Sequence, residues 1–300
     1  MKLQHLKYFK NTDKNEVFSG ASALVAYNDN YYVVRDNSNS IYLFGSKFEK
    51  IKEIEIFKGL LPNSSEERKK QKPDLEAATI VYGNEITPDQ LILIPSGSKK
   101  NRMTGALIKL QVSESNNLTY VDFSKLYNFL ASKVGTVNIE GVIAREKSIL
   151  LFQRGNSKNS TNAIIYLKSD FNEQINHEIV FTEDHFEKII YPDLGKVDGI
   201  PYTFTDAILF NQKILFLAAA EQTEDAYLDG EVSSICAGVL NFDGAILWKE
   251  ELKTHIKLEG LVHLSNQNNT DGQVEFLVLS DADQDNTPSA LYNLSLNISY

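Results

Sequence analysis

The sequence predicts an all-β ring of repeated four-stranded units, and three observations carry that prediction. First, a short phrase recurs five times: GASALVAY from Gly20, DLEAATIVY from Asp74, NIEGVIA from Asn138, FTDAILF from Phe204 and KLEGLVH from Lys257. Each sets a small polar or acidic residue before a small residue and an apolar β-type run. The aligned positions are Ser22, Glu76, Glu140, Asp206 and Glu259, at intervals of 54, 64, 66 and 53 residues, which is the mark of a repeat architecture. Second, strand signals come in fours within each unit. Third, the 41 residues after Glu259 are too few for a further unit, but with the 21 before Ser22 they make one. The chain start therefore completes the last unit. Together these describe a five-bladed β-propeller, one domain over residues 1–300, in which the N-terminal strand LQHLKYF from Leu3 closes the ring and removes a free edge.

Taken in order, the first unit continues with YYVV from Tyr31, IYLF from Ile41 and IKEIEIF from Ile51. The third continues with SILLFQ from Ser148, AIIYLK from Ala163 and INHEIVF from Ile175, and the fourth with ILFLAA, SICAGVL and AILWKEEL. These short runs, bounded by Asn, Ser, Gly or Lys, read as strands of an all-β fold. The run SSEERKKQKP, Ser64 to Pro73, reads as a solvated charged loop at a rim of the ring. One segment reads as helical: DFSKLYNFLASKV from Asp122 spaces Leu126, Phe129, Leu130 and Val134 by three to four residues, an insertion between the second and third blades. The long stretch from Phe171 to Tyr202, or this insertion, keeps a sixth blade open as the alternative.

At 300 residues and 42% hydrophobic, the chain is long for a single core, and stacked blades divide the burial. The single cysteine, Cys236, lies in an apolar run and excludes an internal disulfide. MKLQHLKYFKN has no apolar signal core and no stretch reaches the length of a membrane span, so the expectation is a cytoplasmic protein without membrane attachment. A net charge of −10 argues against nucleic-acid partners, whose phosphates need a basic face.

In a propeller the first strand of each blade lines the central channel, so Ser22, Glu76, Glu140, Asp206 and Glu259 are expected to form a ring there. Clustered carboxylates raise one another's pKa unless cations compensate them. The second strands end in Arg35-Asp36-Asn37, Ser96-Gly97-Ser98 with Asn101-Arg102, Gln153-Arg154, Glu221 and Ser280-Asp281. Arg35, Arg102 and Arg154 either pair with the ring acids in a structural collar or form a fork for an anionic ligand, with Glu221 beside them. The alternative compensation is Ca²⁺, which takes six to eight oxygen ligands. In SDADQDN, Asp281 and Asp283 could reach such an ion, although Asn286 and Tyr292 stand where an EF-hand loop needs Gly and Glu. The acidic loop Glu221 to Glu231 reads as a solvated hairpin. Nucleotide, zinc-protease and serine-hydrolase motifs are absent, and the five histidines do not cluster in sequence.

At GASALVAYNDNYYVVRDNS, KPDLEAATI with LILIPSGS, NIEGVIA with LLFQRGN, TFTDAILF with LFLAAAE, and KLEGLVH with FLVLSDAD, the chain resembles a bacterial family of uncharacterised β-propellers, a domain of unknown function. More loosely it is similar to five-bladed calcium-activated apyrases and phytase-like propellers. That likeness implies a calcium at the channel and a phosphate ligand near Arg35, Arg102 and Arg154. Three functional classes stay open: a module binding a small anionic or sugar-like ligand, with or without Ca²⁺; a metal-dependent phosphoester or other ester hydrolase; and a scaffold for a protein partner. Fold alone does not choose among them.

Overall fold

The computed structural model describes residues 1–9, 17–85, 87–110, 117–156, 161–168, 179–221, 232–264, 273–281 and 287–299. After β1 (Lys2–Tyr8), the first blade holds β2 (Ala21–Tyr27), β3 (Asn30–Arg35), β4 (Ser40–Phe44) and β5 (Lys50–Glu55). Helix α1 (Ser65–Gln71) leads into the second blade, β6 (Leu75–Val81), β7 (Gln90–Pro95), β8 (Thr104–Lys109) and β9 (Leu118–Asp122). Helix α2 (Ser124–Val134) leads into the third, β10 (Ile139–Arg145), β11 (Ser148–Gln153) and β12 (Ala163–Lys168), followed by β13 (Ile179–Val180) and β14 (Phe186–Ile190). A short β15 (Lys196–Val197) precedes the fourth blade, β16 (Ile200–Phe210), β17 (Lys213–Glu221), β18 (Val232–Leu240) and β19 (Ile246–Leu252). The fifth holds β20 (Lys257–His263), β21 (Gln273–Asp281) and β22 (Ala290–Asn297).

Each blade is an antiparallel meander, and β1 pairs with β22 as the outermost strand of the fifth blade, Leu3 opposite Leu294. The N-terminal strand thus closes the ring and covers the edge of β22, and the blades number five. The inner strands β2, β6, β10, β16 and β20 each pack against the inner strands on both sides, which encloses the central axis.

Burial follows the ring. Five apolar clusters form, one at each interface between neighbouring blades. Because strand side chains alternate between faces, Leu91 and Leu93 of β7 pack toward the first blade while Ile92 and Ile94 pack toward the third. In β17, Leu215 and Leu217 face the fifth blade and Ile214 and Phe216 the third. The middle strands are buried on both faces, so they read as continuous apolar runs. Outer strands such as KIKEIE of β5 and FEKII of β14 bury no residue and carry charges, as solvent-facing edges need to.

Helix α2 forms where its spacing predicts, burying Leu126, Tyr127, Leu130 and Val134 between the second and third blades. Two expectations change. SSEERKKQKP is not a loop, since Ser65–Gln71 is helical. It buries nothing, so it carries no apolar period to read. Its support is electrostatic: Glu66 and Glu67 in the first turn, basic residues in the last, and Lys70 bonded to Glu66 and Glu67 at 2.9 and 2.8 Å. Pro73 stops it. The fourth strand of the third blade is likewise not INHEIVF. Its first residues, Ile175 to His177, lie outside the described residues, and Ile179–Val180 pairs in parallel with β9 of the second blade. Phe181 stacks on Phe123 with ring centroids 5.0 Å apart, anchoring the segment there. Phe186–Ile190 takes the outer position instead.

Candidate functional site

The recurring phrase has a backbone cause. In every inner strand the register slips at the same place: between Ala21 and Ala23, Leu75 and Ala77, Ile139 and Gly141, Phe204 and Asp206, and Leu258 and Leu261. A β-bulge therefore recurs in each blade, at Ser22, Glu76, Glu140, Thr205 and Glu259 with Gly260. A bulge re-aims a side chain and bends the strand. The small residue that follows lets adjacent inner strands approach: a Cβ on Gly260 would stand 2.4 Å from the Leu24 nitrogen, and one on Gly141 3.0 Å from the Ala207 nitrogen.

Glu76, Glu140 and Glu259 line one cavity at the channel mouth, of about 80 Å³. With them are Asp36, Asp74, Asn138, Asp281, Lys69, Lys72, Lys99, Arg102, Arg154 and Lys257. Ser22 and Asp206 are not in its lining. The Ser22 hydroxyl donates to the Leu75 carbonyl at 2.8 Å, tying β2 to β6. The bulge of the fourth blade falls at Thr205, one residue earlier than the sequence alignment places it, so Asp206 turns aside. Its carboxylate accepts the Leu261 and Ala207 amides at 2.8 and 2.7 Å, clamping β16 to β20. Burial holds Asp206 well above the usual carboxylate range, against the pull of those two amides.

The three arginines occupy different positions. The amides of Asp36, Ser96 and Arg154 donate to the carbonyls of Gly20, Asp74 and Asn138 at 2.8 Å each, so Arg154 is equivalent to Asp36, while Arg35 is equivalent to Gln153. Arg35 accordingly points away from the cavity. Its Nε donates to the Ser19 carbonyl at 2.6 Å and its guanidinium lies over the Phe18 ring, 4.7 Å from the centroid.

Two ion-pair networks fill the mouth. In one, Lys72 bonds Asp36 and pairs with Asp74 at 2.6 Å, and Arg102 donates to Asp74 at 2.7 Å and to Ser98 at 2.8 Å. Ser96 also donates to Asp74. A second guanidinium nitrogen of Arg102 caps the end of α1 through the Lys69 carbonyl at 2.8 Å. In the other, Arg154 bridges Glu140 at 3.3 Å and Glu221 at 2.6 Å, while Lys257 holds Glu259 at 2.9 Å. Asn138 donates to Glu140 at 2.6 Å. Asp281 accepts from the Gly20 amide at 2.7 Å and the Ser289 hydroxyl at 2.8 Å, joining the fifth blade to the first. Gly20 has φ +74°, and a Cβ there would meet Asp36, so only glycine fits. Asp283 and the acids from Glu224 to Glu231 lie outside the described residues.

Charge within these networks is well matched. Burial opposes ionisation of Asp74, yet Lys72 and Arg102 outweigh it and hold the carboxyl below its ordinary range. Lys72, despite burial, is driven well above its ordinary value by Asp36, Asp74 and Glu76. Burial raises Asp36 and Glu140 in spite of their cations. Glu76 is the exception, because it makes no hydrogen bond or ion pair to any described residue. Burial first, then Asp74, Asp36 and Glu140, push its carboxyl well above the usual range. Oxygens of Asp36, Asp74 and Glu76 lie within 4.8 Å of one another, close enough to hold a metal ion.

The residues missed from sequence follow a rule that the sequence does contain. Asp74, Asn138 and Lys257 each stand two residues before a bulge glutamate, on the same strand face. Lys69 and Lys72 are delivered by α1 and its C-terminal end, which carries no sequence period.

Fold and site together define a five-bladed β-propeller with a charged, ion-paired axial cavity. The chain belongs to the family of unknown function DUF6929, whose model matches residues 17–296. No curated protein matches it. Among solved structures it is similar to an exo-1,5-α-L-arabinanase from a bovine ruminal metagenomic library (TM-score 0.50, 10% identity, 98% of this chain and 97% of that one). It is similar also to the glutaminyl cyclase of Myxococcus xanthus (TM-score 0.50, 6% identity, 99% and 97%). The α-L-arabinofuranosidase of Podospora anserina follows at TM-score 0.49, 11% identity, 97% and 94%. At such identities the likeness shows the fold alone. No helix among the described residues is long and apolar enough to cross a membrane.

Proposed function

We propose that the protein is a binding module whose axial cavity takes a small ligand presenting hydrogen-bond donors or positive charge to Glu76. The observation that carries this reading is Glu76 itself, a half-buried carboxyl at the wall of a polar cavity, close to Asp36 and Asp74 and making no hydrogen bond or ion pair to a described residue. Burial and the neighbouring acids favour the protonated form of this carboxyl over the charged one, and a ligand bringing hydrogen-bond donors or positive charge would offset that cost of ionisation. The size of the cavity sets the ligand's size: about 10–15 Å³ of such space holds one water, so about 80 Å³ suits an ion or a molecule of a few heavy atoms.

The chemistry of the lining sorts the candidates. An anionic ligand would meet guanidinium groups already committed, Arg102 to Asp74 and Arg154 to Glu140 and Glu221. A Ca²⁺ ion would find hard oxygens in Asp36, Asp74 and Glu76, but the Lys72 ammonium already stands among them and would have to move. A small acyclic polyol or an organic ammonium needs no such displacement, which favours these. A metal-dependent ester hydrolase using the same three carboxylates is the second reading, supported by their proximity.

Thermal melting of chelator-stripped protein with Ca²⁺, methylammonium and small polyols tests this. One probe is expected to stabilise the wild type, by about 2.7 kcal/mol at one hundred times its Kd, and to lose its effect in Glu76→Gln. Identical responses of wild type and variant to every probe would sink the reading.

A further inference from the structure

A second cleft, of about 310 Å³, opens at the same end of the ring between the third and fourth blades. The wall between it and the axial cavity is the contact of Arg154 Nε with the Thr203 hydroxyl at 3.4 Å. The chemistry on the two sides differs sharply. The axial cavity is lined almost wholly by charges, whereas this cleft has tyrosines, prolines, asparagines and threonines, with Asp193 as its one charged lining residue. Its volume stands at the lower end of the range of about 300–1,000 Å³ found for small-molecule sites, large enough for a ring that the axial cavity excludes.

We propose that this cleft binds one sugar ring, stacked on Tyr191. Tyr191 is 49% exposed, yet its hydroxyl donates to the Lys133 carbonyl at the end of α2, at 3.2 Å. The ring is therefore held in place while exposed, so little side-chain freedom is lost when a ligand covers it. Pro192 and Pro201, with fixed φ, stiffen the walls beside it. A sugar ring has one C–H face that is apolar and an edge of hydroxyls, and the cleft offers a partner to each. The aromatic face takes the first. For the edge, Asp193 accepts the Gly195 amide through Oδ1 at 2.8 Å, and its other oxygen has no partner among the described residues; the Thr161 hydroxyl likewise has none. Asn162 is not part of that supply, because its amide group is used within the protein, accepting from Gly155 at 2.9 Å and donating to Tyr202 at 2.7 Å. Asp193 would repel an acidic ligand, so the sugar is an uncharged one.

The test is saturation-transfer NMR with a panel of neutral methyl pentosides and hexosides, and titration of the best of them. Transfer is expected to the ring C–H protons of at least one glycoside. Affinity should fall about tenfold or more in Tyr191→Ala, the scale of a lost aromatic contact with its buried area, and should fall also in Asp193→Asn. Tyr191 is a surface residue, so Tyr191→Ala keeps its fold, which circular dichroism checks. Glu76→Gln should leave glycoside binding unchanged, because it acts in the other cavity. No transfer to any glycoside, an equal response in Tyr191→Ala, or, in place of sugars, binding of tetramethylammonium that Tyr191→Ala abolishes and Glu76→Gln leaves unchanged, would overturn the proposal. None of those outcomes touches the axial reading, which rests on Glu76.

Discussion

Replacing Arg154 with methionine probes the axial networks most directly. The guanidinium lies 2.6 Å from Glu221 and 3.3 Å from Glu140, and the side chains of all three are at most 10% exposed. Methionine fills much of the same volume but removes both charge-assisted contacts. Glu221 keeps the contact with Lys257, 3.8 Å away and already shared with Glu259, and Glu140 keeps the Asn138 amide. Two buried carboxylates are thus left under-compensated. Removing one partner of a buried pair costs about 3–5 kcal/mol, whereas an exposed pair would cost about 0–1 kcal/mol. Urea unfolding followed by the fluorescence of Trp248, the only tryptophan, reads the difference as a shift in midpoint at constant slope. Adding Glu221→Gln to Arg154→Met should restore part of the loss, since it removes one of the stranded charges. A loss below about 1 kcal/mol, or no recovery in the double variant, would show that water reaches these groups and that the collar contributes little.

Three further outcomes follow from the same geometry. Glu76 keeps a proton in the folded protein that the unfolded chain has released, because its folded pKa lies well above the ordinary 4.5. Stability should therefore fall as pH rises from about that ordinary value through the folded one, with a slope approaching ~1.4 kcal/mol per pH unit for one proton. Glu76→Gln should flatten this slope and be the more stable protein at neutral pH, which urea midpoints across the neutral range would show. Lys72→Met takes the ammonium out from between Asp36, Asp74 and Glu76, so Ca²⁺ should raise the melting temperature of the variant more than that of the wild type, reversibly with chelator; equal shifts would mean that the three acids do not close on an ion. Gly260→Ala sets a Cβ 2.4 Å from the Leu24 nitrogen and 2.8 Å from the Ala23 carbonyl carbon. As backbone cannot yield as a side-chain tip can, a loss of about 1–3 kcal/mol or more is expected by urea unfolding.

Much of the site was legible once the repeats were aligned, and the exceptions are instructive. Glu76, Glu140 and Glu259 were found because a bulge at one position of each inner strand leaves a fixed phrase in the chain. Asp206 was misplaced by one residue because its own phrase, Thr205-Asp206-Ala207, imitates the pattern while the bulge sits at Thr205. Arg35 and Arg154 look alike in sequence, but the pairing register separates them, one against Phe18 and the other in the cavity. Asp74 and Lys257 lie within the recurring phrases, and two-residue strand alternation sets them on the face of the bulge glutamates that follow them.

By itself the sequence determined the propeller of repeated blades, the ring closure by β1 and the helix α2, while the structure decided five blades against the sixth left open, because each of the former depends on periodic burial: strand faces that must meet neighbours, an edge that must be covered, an apolar stripe at helical spacing. What only the tertiary structure decided is which polar side chains meet whom. Helix α1 buries nothing and leaves no period, yet it and its C-terminal end bring Lys69 and Lys72 to the mouth. The lone state of Glu76 and the neutral cleft beside Tyr191 arise from distances between blades, and contacts between residues far apart in the chain have no local signature.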